Sequence, residues 1–285
     1  ISDPMTVTRD QLAQLMIMAA RGGDTRGGKR GERKTIERLG IGPEDIWMDI
    51  SSLTNEKARM LAPLLPKVYW KGQKRFKVTP TAHFCMGGIV IDDCGRTSVK
   101  GLFAIGEATA GAHGANRLGG NALAEIFTMG SMAGKIAGKY ALQKAAKVSI
   151  RDACKAEIKR LQKLFYVKGV PSRLLIDELK AVMWDKVGII REKNELEAAL
   201  DHICAHWTHA TITTPGQLIT YLEFENMRLV AEMVSRAALA RNESRGSHFR
   251  TDFPDEDNDN WLKNVVICKG SAGMELSSSV VPKSN

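Results

Sequence analysis

The fold is decided by residues 80–123, which read PTAHFCMGGIVIDDCGRTSVKGLFAIGEATAGAHGANRLGGNAL. Two polar side chains, His83 and Arg117, stand among glycines and other small residues. Between them the apolar run Gly101-Leu-Phe-Ala-Ile-Gly106 ends at Glu107. This pattern predicts a buried strand, a turn and an acidic residue at the carboxyl end of the strand.

The residues after this strand favour a site for a nucleotide cofactor. A helix is expected from Asn121, directly after a pair of glycines. The free N–H groups at the start of a helix carry partial positive charge, and a carboxylate such as Glu107 after a strand commonly binds ribose hydroxyls. His83 and Arg117 are residue types that hold a small dicarboxylate, because a guanidinium pairs with a carboxylate through two hydrogen bonds.

The composition is that of a globular protein with a substantial core. The 285 residues are 44% hydrophobic, and this length predicts about two domains. Basic residues (41) outnumber acidic ones (32), and seven of them fall between Arg21 and Arg38 in a glycine-rich stretch. We interpret this stretch as a solvated loop, with a docking surface for an acidic partner as the alternative. Nucleic acid is not expected as a partner, because no aromatic side chains alternate with the basic ones to stack on bases.

Hydropathy and the cysteine pattern indicate in which cellular compartment the protein is expected. No apolar run approaches the roughly 20 residues that span a bilayer, and no signal peptide is visible. Five cysteines stand at irregular spacings without a CxxC pair, so the sequence shows no framework for an iron–sulfur cluster or a zinc ribbon. We therefore expect a reducing, cytoplasmic location.

Helical periodicity predicts most of the remaining architecture. A first helix is expected over residues 6–20 with Thr8 as its N-cap, followed by a short strand at 47–50 and a helix over 55–65. Beyond Gly246 the chain is expected to be irregular, with its last residues extended or partly disordered. Longer helical patterns cover residues 121–143, 150–165, 171–184, 192–209 and 215–241.

One histidine cluster allows a second interpretation. His202, His206 and His209, with Cys204, fall at helical spacings, so a zinc site is geometrically possible. A polar helix end that faces solvent is the interpretation that we favour, and no metal is expected.

Three segments carry a family resemblance: PTAHFCMGGI at 80–89, GLFAIGE at 101–107 and HGANRLGGN at 113–121. They resemble the flavoprotein subunit of succinate dehydrogenase and fumarate reductase, with L-aspartate oxidase as a close relative. The resemblance resumes at MWDKVG (183–188) and ARNESRGSHFR (240–250), so it extends over nearly the whole chain.

The resemblance implies a fold that combines an α/β part with an all-α part. Residues 1–79 would form part of a capping domain, and residues 80–148 the C-terminal part of a Rossmann-like FAD-binding domain. Residues 149–285 would form a helical bundle domain with an irregular tail. No strand leads into GxGxxG, the element that the family uses to hold the FAD pyrophosphate. We therefore expect the chain to be the C-terminal half of a longer protein and the N-terminal FAD-binding half to be a partner.

For the cofactor FAD, the resemblance implies that Gly106 and Glu107 lie at the ribose. It also implies that the helix start at Asn121, Ala122 and Leu123 points at the flavin ring. Ala122 occupies the place of a serine in the family. Backbone N–H contacts survive that change, whereas one side-chain hydrogen bond does not.

For the substrate, the resemblance implies that His83 and Arg117 are the catalytic residues that hold the carboxylates of succinate or fumarate. The positive charge of Arg117 would also polarise the double bond toward hydride attack. His113 and Asn116 are expected to shape the loop between them.

Gln14 departs from the family pattern. The family's capping helix carries an Arg-Asp pair, here Arg9 and Asp10, and five residues later a second arginine that shuttles the proton. Gln14 occupies that place and cannot carry a proton at neutral pH. The register differs, or a nearby basic residue such as Arg9 or Arg21 substitutes, or the reaction is not fumarate reduction.

Three functional hypotheses follow. The first is an FAD-dependent oxidoreductase that transfers hydride between flavin and a dicarboxylate and exchanges electrons with an iron–sulfur subunit. The second is a flavoprotein of the same fold with an altered substrate or an electron-transfer role. The third is L-aspartate oxidase. Attachment to a membrane is expected only indirectly, through partner subunits.

Overall fold

Two units divide the chain, residues 1–82 and residues 83–285. The computed structural model of the protein describes residues 9–20, 46–60, 72, 74–143, 151–205 and 207–281. The helices are α1 (Arg9–Ala20), α2 (Asn55–Met60), α3 (Asn121–Gln143), α4 (Arg151–Gln162), α5 (Ser172–Val182), α6 (Lys193–Cys204), α7 (Pro215–Ala240) and α8 (Asn258–Trp261). The strands are β1 (Trp47–Asp49), β2 (Arg75–Lys77), β3 (Ile190–Arg191), β4 (Phe249–Arg250), β5 (Lys263–Lys269) and β6 (Met274–Val280). In the described part of the chain, every helix is too short or too polar to cross a bilayer.

The first unit contains α1, α2 and a two-stranded antiparallel ribbon. α1 forms where helical spacing predicts a helix, and it buries Gln14, Leu15 and Met18, whereas Leu12 is 47% exposed. In the ribbon β1 pairs with β2, so that Trp47 lies opposite Lys77. The predicted N-cap Thr8 and the basic stretch 21–38 lie outside the described residues.

The second unit opens with an irregular α/β segment, and here one prediction is wrong. Residues 101–106 do not form a buried strand, because Leu102 is 50% exposed and Ile105 is 40% exposed. Among the described residues, the run forms backbone hydrogen bonds with the preceding residues 95–97, for example from the Ala104 N–H to the Gly95 carbonyl over 2.9 Å. No described segment pairs with the outer edge of the run, so its apolar side chains stay uncovered.

Helix α3 has the predicted bounds, Asn121–Gln143. Gly130, Ala133, Gly134 and Ala137 line a shallow groove with residues 103–105, and the side chain of Ile105 packs close to Gly130. Ala133 is buried against the same segment, only 4% exposed. The helix therefore packs closely on the 103–105 segment along one side, while much of its remaining surface is open.

The hydrophobic core of the second unit lies between α5, α6 and α7. Each fully buried leucine or phenylalanine there contributes roughly 1.5–3 kcal/mol relative to exposure. The members are Leu175, Ile176 and Leu179 of α5, Leu196, Ala199 and Ile203 of α6, and Phe224, Ala231 and Ala238 of α7.

The ends of these helices are set by side chains. α7 starts at a capping box, in which Thr214 Oγ1 accepts the Gln217 N–H and the Gln217 side chain accepts the Thr214 N–H. α6 ends at Cys204 and does not continue to 209, and the Trp207 indole N–H donates to the Ile203 carbonyl of its last turn over 3.1 Å. α5 continues into a π-helical turn, Met183–Val187.

The C-terminal tail is more ordered than the sequence predicts. β5 and β6, each seven residues long, pair as an antiparallel hairpin, where the sequence predicts an extended or partly disordered end. The tail is fixed to the helical core by Arg250, which is 1% exposed. Its Nη1 donates to the last carbonyls of α7, at 3.0 Å from Ala238 and 3.1 Å from Leu239, and so caps that helix. Asp252 binds the other side of the same guanidinium.

Glu243 is the second anchor of the tail, with a fully buried side chain. Burial works to raise its pKa, but hydrogen bonds from the Arg245 guanidinium, from the Asp257 N–H and from Arg241 hold the pKa below its usual value. The carboxylate is therefore ionised and neutralised by two arginines.

His248 is held neutral beside these charges. Its Nδ1 lies 2.7 Å from Nη1 of Arg191, and because a guanidinium is always the donor, Nδ1 accepts and Nε2 carries the proton. Burial, and then the charge of Arg191, lowers the pKa of His248 from 6.5 to about 3. β3 and β4 pair in parallel at this point, with Arg191 opposite Arg250.

We predict that His248 makes stability depend on pH. The folded chain keeps this ring neutral, whereas the unfolded chain protonates it below about pH 6.5. The stabilisation is therefore complete above that pH and is lost as the pH falls from 6.5 toward 3. His248→Asn, which keeps an acceptor for Arg191, should flatten the pH dependence of the unfolding free energy by up to about 1.4 kcal/mol per pH unit.

Urea unfolding at several pH values between 7 and about 4 measures this difference. His209→Asn, at an exposed histidine, is the control and should leave the slope unchanged. Equal slopes for wild type and His248→Asn would show that His248 does not titrate differently in the two states.

Candidate functional site

The site is built where residues 83–90 run beside residues 106–110. The Ile89 N–H donates to the Ala108 carbonyl over 2.8 Å, and the Ile89 carbonyl accepts the Ala110 N–H over 3.0 Å. Glu107 extends this contact, since its Oε1 accepts the Cys85 N–H over 2.9 Å. The predicted ribose carboxylate thus also joins the two segments, and its side chain remains exposed.

Arg117 is held against the first of these segments. Its guanidinium stacks on the Phe84 ring with 4.4 Å between the guanidinium carbon and the ring centroid, and its backbone N–H lies 3.0 Å from the Met86 sulfur. Nη1 donates to the Leu118 carbonyl over 3.2 Å. Nε is buried and has no hydrogen-bond partner among the described residues.

His83 precedes the ring on which Arg117 stacks. Its side chain is exposed, and within the described ranges it has no hydrogen-bond or ion-pair partner. The structure therefore places Arg117 against the residue that follows His83, although the two predicted substrate ligands stand 34 positions apart in the sequence. An unpaired cationic donor beside an exposed imidazole is an arrangement that can bind an anion.

Behind Arg117 lies a buried polar network that sequence reasoning missed. His113 Nε2 and Glu125 Oε2 are 2.8 Å apart, and each side chain is 8% exposed. Thr109 Oγ1 donates to the Gly106 carbonyl over 2.7 Å and lies 3.4 Å from the other Glu125 oxygen. The sequence predicts only loop shaping for His113 and no role for Glu125.

The network supports the site through Phe84. The His113 ring meets the Phe84 ring edge to face, with centroids 5.3 Å apart. Glu125 thus fixes His113, His113 supports Phe84, and Phe84 carries the Arg117 guanidinium. The signal in the sequence is that Glu125 is the single acidic residue of α3, but its partner can be identified only in three dimensions.

The residues assigned to FAD lie near one another, between residues 106 and 123. Gly106 is buried with φ +69°, a conformation that favours glycine, and an added Cβ would lie 3.0 Å from the Ile126 side chain. At the start of α3 the N–H groups of Asn121 and Leu123 donate to loop carbonyls over 3.3 and 3.2 Å, at the long end of the hydrogen-bond range. Ala122 is half-buried between them.

These residues fit a flavin nucleotide in part. Glu107 presents an exposed carboxylate, and the first turn of α3 is accessible. Large apolar side chains flank that turn and are largely exposed: Leu118 (72%), Leu123 (62%) and Phe127 (75%). Such a surface suits an aromatic ring system or a further protein segment.

The described members of the histidine cluster, His202, Cys204 and His209, do not come together as a metal site. α6 ends at Cys204, so His209 does not continue its face, and His202 Nε2 lies 2.9 Å from Glu178 Oε1. His206 lies outside the described residues. Over the described ranges, no group of three or more acidic, histidine or cysteine side chains is placed to hold a metal ion.

Comparison with known proteins matches two family profiles. One, described as "Fumarate reductase flavoprotein C-term", covers residues 176–283, and the other, described as "FAD binding domain", covers residues 35–123. The second match includes Gly106, Glu107 and the start of α3.

Individual relatives agree with these profiles. The chain is 36% identical over 244 residues to a subunit of the CoM/CoB fumarate reductase of Methanothermobacter marburgensis, covering 81% of this chain and 44% of the relative. It is 31% identical over 251 residues to the L-aspartate oxidase of Pseudomonas aeruginosa, covering 77% of this chain and 41% of the relative. The chain thus spans less than half the length of these curated relatives.

A solved structure extends the likeness to three dimensions. An E. coli quinol fumarate reductase chain superposes with a TM-score of 0.80 and 28% identity, covering 96% of this chain and 48% of that one. The α/β and all-α parts expected from the sequence are therefore confirmed as parts of this flavoprotein fold. The chain belongs to the fumarate reductase and succinate dehydrogenase flavoprotein family of FAD-dependent oxidoreductases, which has L-aspartate oxidases among its relatives.

Proposed function

We propose that this chain supplies the substrate-binding part of an FAD-dependent oxidoreductase that acts on a small dicarboxylate such as fumarate or succinate. The observation that carries this proposal is the buried Nε of Arg117, a charged donor without a partner among the described residues. Leaving such a donor unpaired costs about 1–3 kcal/mol, a cost that a bound carboxylate would remove.

Arg117 is suited to bind a carboxylate in a fixed direction. Phe84 restrains the guanidinium plane, and Leu118 occupies Nη1, so Nε and Nη2 are the donors that remain for an incoming carboxylate among the described residues. A carboxylate bound there would lie next to the positive charge of the guanidinium. That charge would withdraw electrons from the adjacent carbon–carbon bond of the substrate. His83 is available as donor to the second carboxylate, because its side chain is exposed beside Phe84.

The cofactor-facing residues support the same reaction. Glu107 would bind the ribose hydroxyls of FAD through the oxygen that Cys85 does not use, and Asn121, Ala122 and Leu123 would present the start of α3 to the ring. Bound FAD would supply the hydride acceptor or donor.

A further FAD-binding segment is expected to complete the site. The exposed apolar side chains at the start of α3, together with the uncovered run 101–106, form a surface that a second part of an FAD-binding domain would cover. The relatives are more than twice as long as the region matched here and so have room for such a segment. We place the capping function in residues 1–79, the FAD-binding part in 80–148 and the helical domain in 149–285.

Partners and location follow from the family. We propose that the electron partner is an iron–sulfur protein of the same complex and that the chain is cytoplasmic, with the membrane reached only through other subunits. The relative from Wolinella succinogenes is named an 8-methylmenaquinol:fumarate reductase flavoprotein subunit, 33% identical to this chain over 254 residues, and the word subunit in that name supports assembly with partner chains.

L-aspartate oxidase is the second candidate, favoured by the 31% identical Pseudomonas relative. Aspartate is also a four-carbon dicarboxylate, so the same Arg117 and His83 would hold it. Two assays of the full-length protein distinguish the candidates. A fumarate reductase reduces fumarate with a reduced viologen as electron donor, whereas an L-aspartate oxidase oxidises aspartate with oxygen. Turnover of neither substrate would contradict both and would favour an altered substrate or an electron-transfer role.

We predict that Arg117→Ala in the full-length protein lowers kcat/KM for the dicarboxylate by about 10²–10³-fold while FAD stays bound. Arg117→Lys should recover only part of the loss, because an ammonium has no planar fork. The measurements are steady-state rates at matched flavin content. Arg151→Ala, at an exposed position of α4, is the control, and wild-type rates in Arg117→Ala would show that the assignment is wrong.

We predict that Gln14 is not the proton donor. An amide cannot deliver a proton, and this one is 8% exposed on the buried face of α1. If Arg9 serves instead, Arg9→Gln should lower fumarate reduction by about 10²–10⁴-fold, and Gln14→Arg should bring no gain. A large gain from Gln14→Arg, with Arg9→Gln neutral, would restore position 14 as the shuttle position.

A further inference from the structure

A tight turn of the C-terminal tail reaches the loop that carries Arg117. In this turn the Arg245 N–H donates to the His248 carbonyl over 2.8 Å, and the His248 N–H donates back to the Arg245 carbonyl over 3.0 Å. Gly246 and Ser247 form the tip, where Gly246 has φ +57°. The helical domain thereby extends a two-residue tip toward the α/β segment of the same unit.

The tip holds one atom of the Arg117 loop, the carbonyl oxygen of Ala115. Both the backbone N–H and the hydroxyl of Ser247 donate to it, each over 3.1 Å. Gly246 lies so close that an added Cβ would stand 2.4 Å from the same oxygen. Only glycine permits this close approach, because any side chain at position 246 would collide with the Ala115 carbonyl.

The turn is itself rigid. Ser244 Oγ donates to the Phe253 carbonyl and accepts the Arg250 N–H, over 2.7 and 2.8 Å. The fully buried Arg250 caps α7, and Arg191 binds His248 on the other side of the turn. The tip is therefore an extension of the helical core and not a free loop.

The loop from Ala115 to Arg117 is held firmly from outside at Ala115. Among the described residues, the acceptor for the backbone N–H of Arg117 is the thioether of Met86, and a thioether forms weak hydrogen bonds. At Ala115 two conventional donors converge on one oxygen. The contact at Ala115 is thus the firmer of the two, and it lies two residues before the guanidinium.

We propose that Ser247 is a positioning residue for Arg117: by binding the Ala115 carbonyl it fixes the backbone from which the guanidinium reaches the substrate. This inference rests on the proposed function for its catalytic consequence, but its structural part stands without it. The tail segment, assigned from sequence to structure alone, then couples the helical domain to the geometry of the site.

The test measures hydrogen–deuterium exchange over residues 113–120 and dicarboxylate turnover in the full-length protein. Ser247→Ala should speed exchange in that segment by roughly 3- to 10-fold, because one hydrogen bond is lost. It should lower kcat by about tenfold, because a small displacement of a charged ligand weakens the transition state. Ser247→Thr, which keeps the hydroxyl, should restore both quantities.

Two control variants test whether the effect is specific to the contact at Ala115. Ser278→Ala, at an exposed position of β6, should change neither quantity. Gly246→Ala should exceed Ser247→Ala in effect, whereas Gly216→Ala, where a Cβ meets nothing within 4 Å, should not.

The outcomes separate this inference from the proposed function. The positioning role of Ser247 is overturned if exchange over residues 113–120 is unchanged in Ser247→Ala. It is also overturned if exchange becomes faster over the whole chain, or if Ser247→Thr does not restore slow exchange in the segment. If wild-type protein turns over no dicarboxylate, the proposed function fails, and the exchange data alone still decide whether Ser247 positions the loop.

Discussion

The unpaired Nε of Arg117 is the constraint around which the α/β segment is arranged. A buried charged donor without a partner is costly, so the neighbouring residues must hold the guanidinium in place more strongly than solvent draws it out. Phe84 provides one face, His113 supports Phe84, and Glu125 binds His113 from helix α3. Under the proposed function, this cost is removed when a carboxylate binds.

The helical domain contributes to the same constraint from the other side. Arg250 joins the end of α7 to the tail, and the tail returns to Ala115 through Ser247. Residues that lie more than a hundred positions apart thus meet at one carbonyl oxygen. If Ser247 positions Arg117 as proposed, a segment without an assigned catalytic group contributes to catalysis through this contact.

The sequence predicts the long helices well and the site only in part. The bounds of α3 and most of α7 follow from helical periodicity and from the Thr-Pro-Gly start signal, which are local properties. The strand at 101–106 fails because strand formation needs pairing partners, and none of the described segments supplies them. The hairpin β5–β6 was missed because its exposed, serine-rich second strand lacks a hydrophobic pattern. Glu125 was missed because burial of a carboxylate depends on its partner, His113, and not on its own neighbours in sequence.

A structure of the full-length protein with FAD and bound succinate tests the central claim most directly. The account predicts a succinate carboxylate oxygen within about 3.2 Å of Arg117 Nε, with His83 at the opposite carboxylate. Succinate bound elsewhere, with Nε of Arg117 still unpaired or satisfied by another protein group, would contradict it.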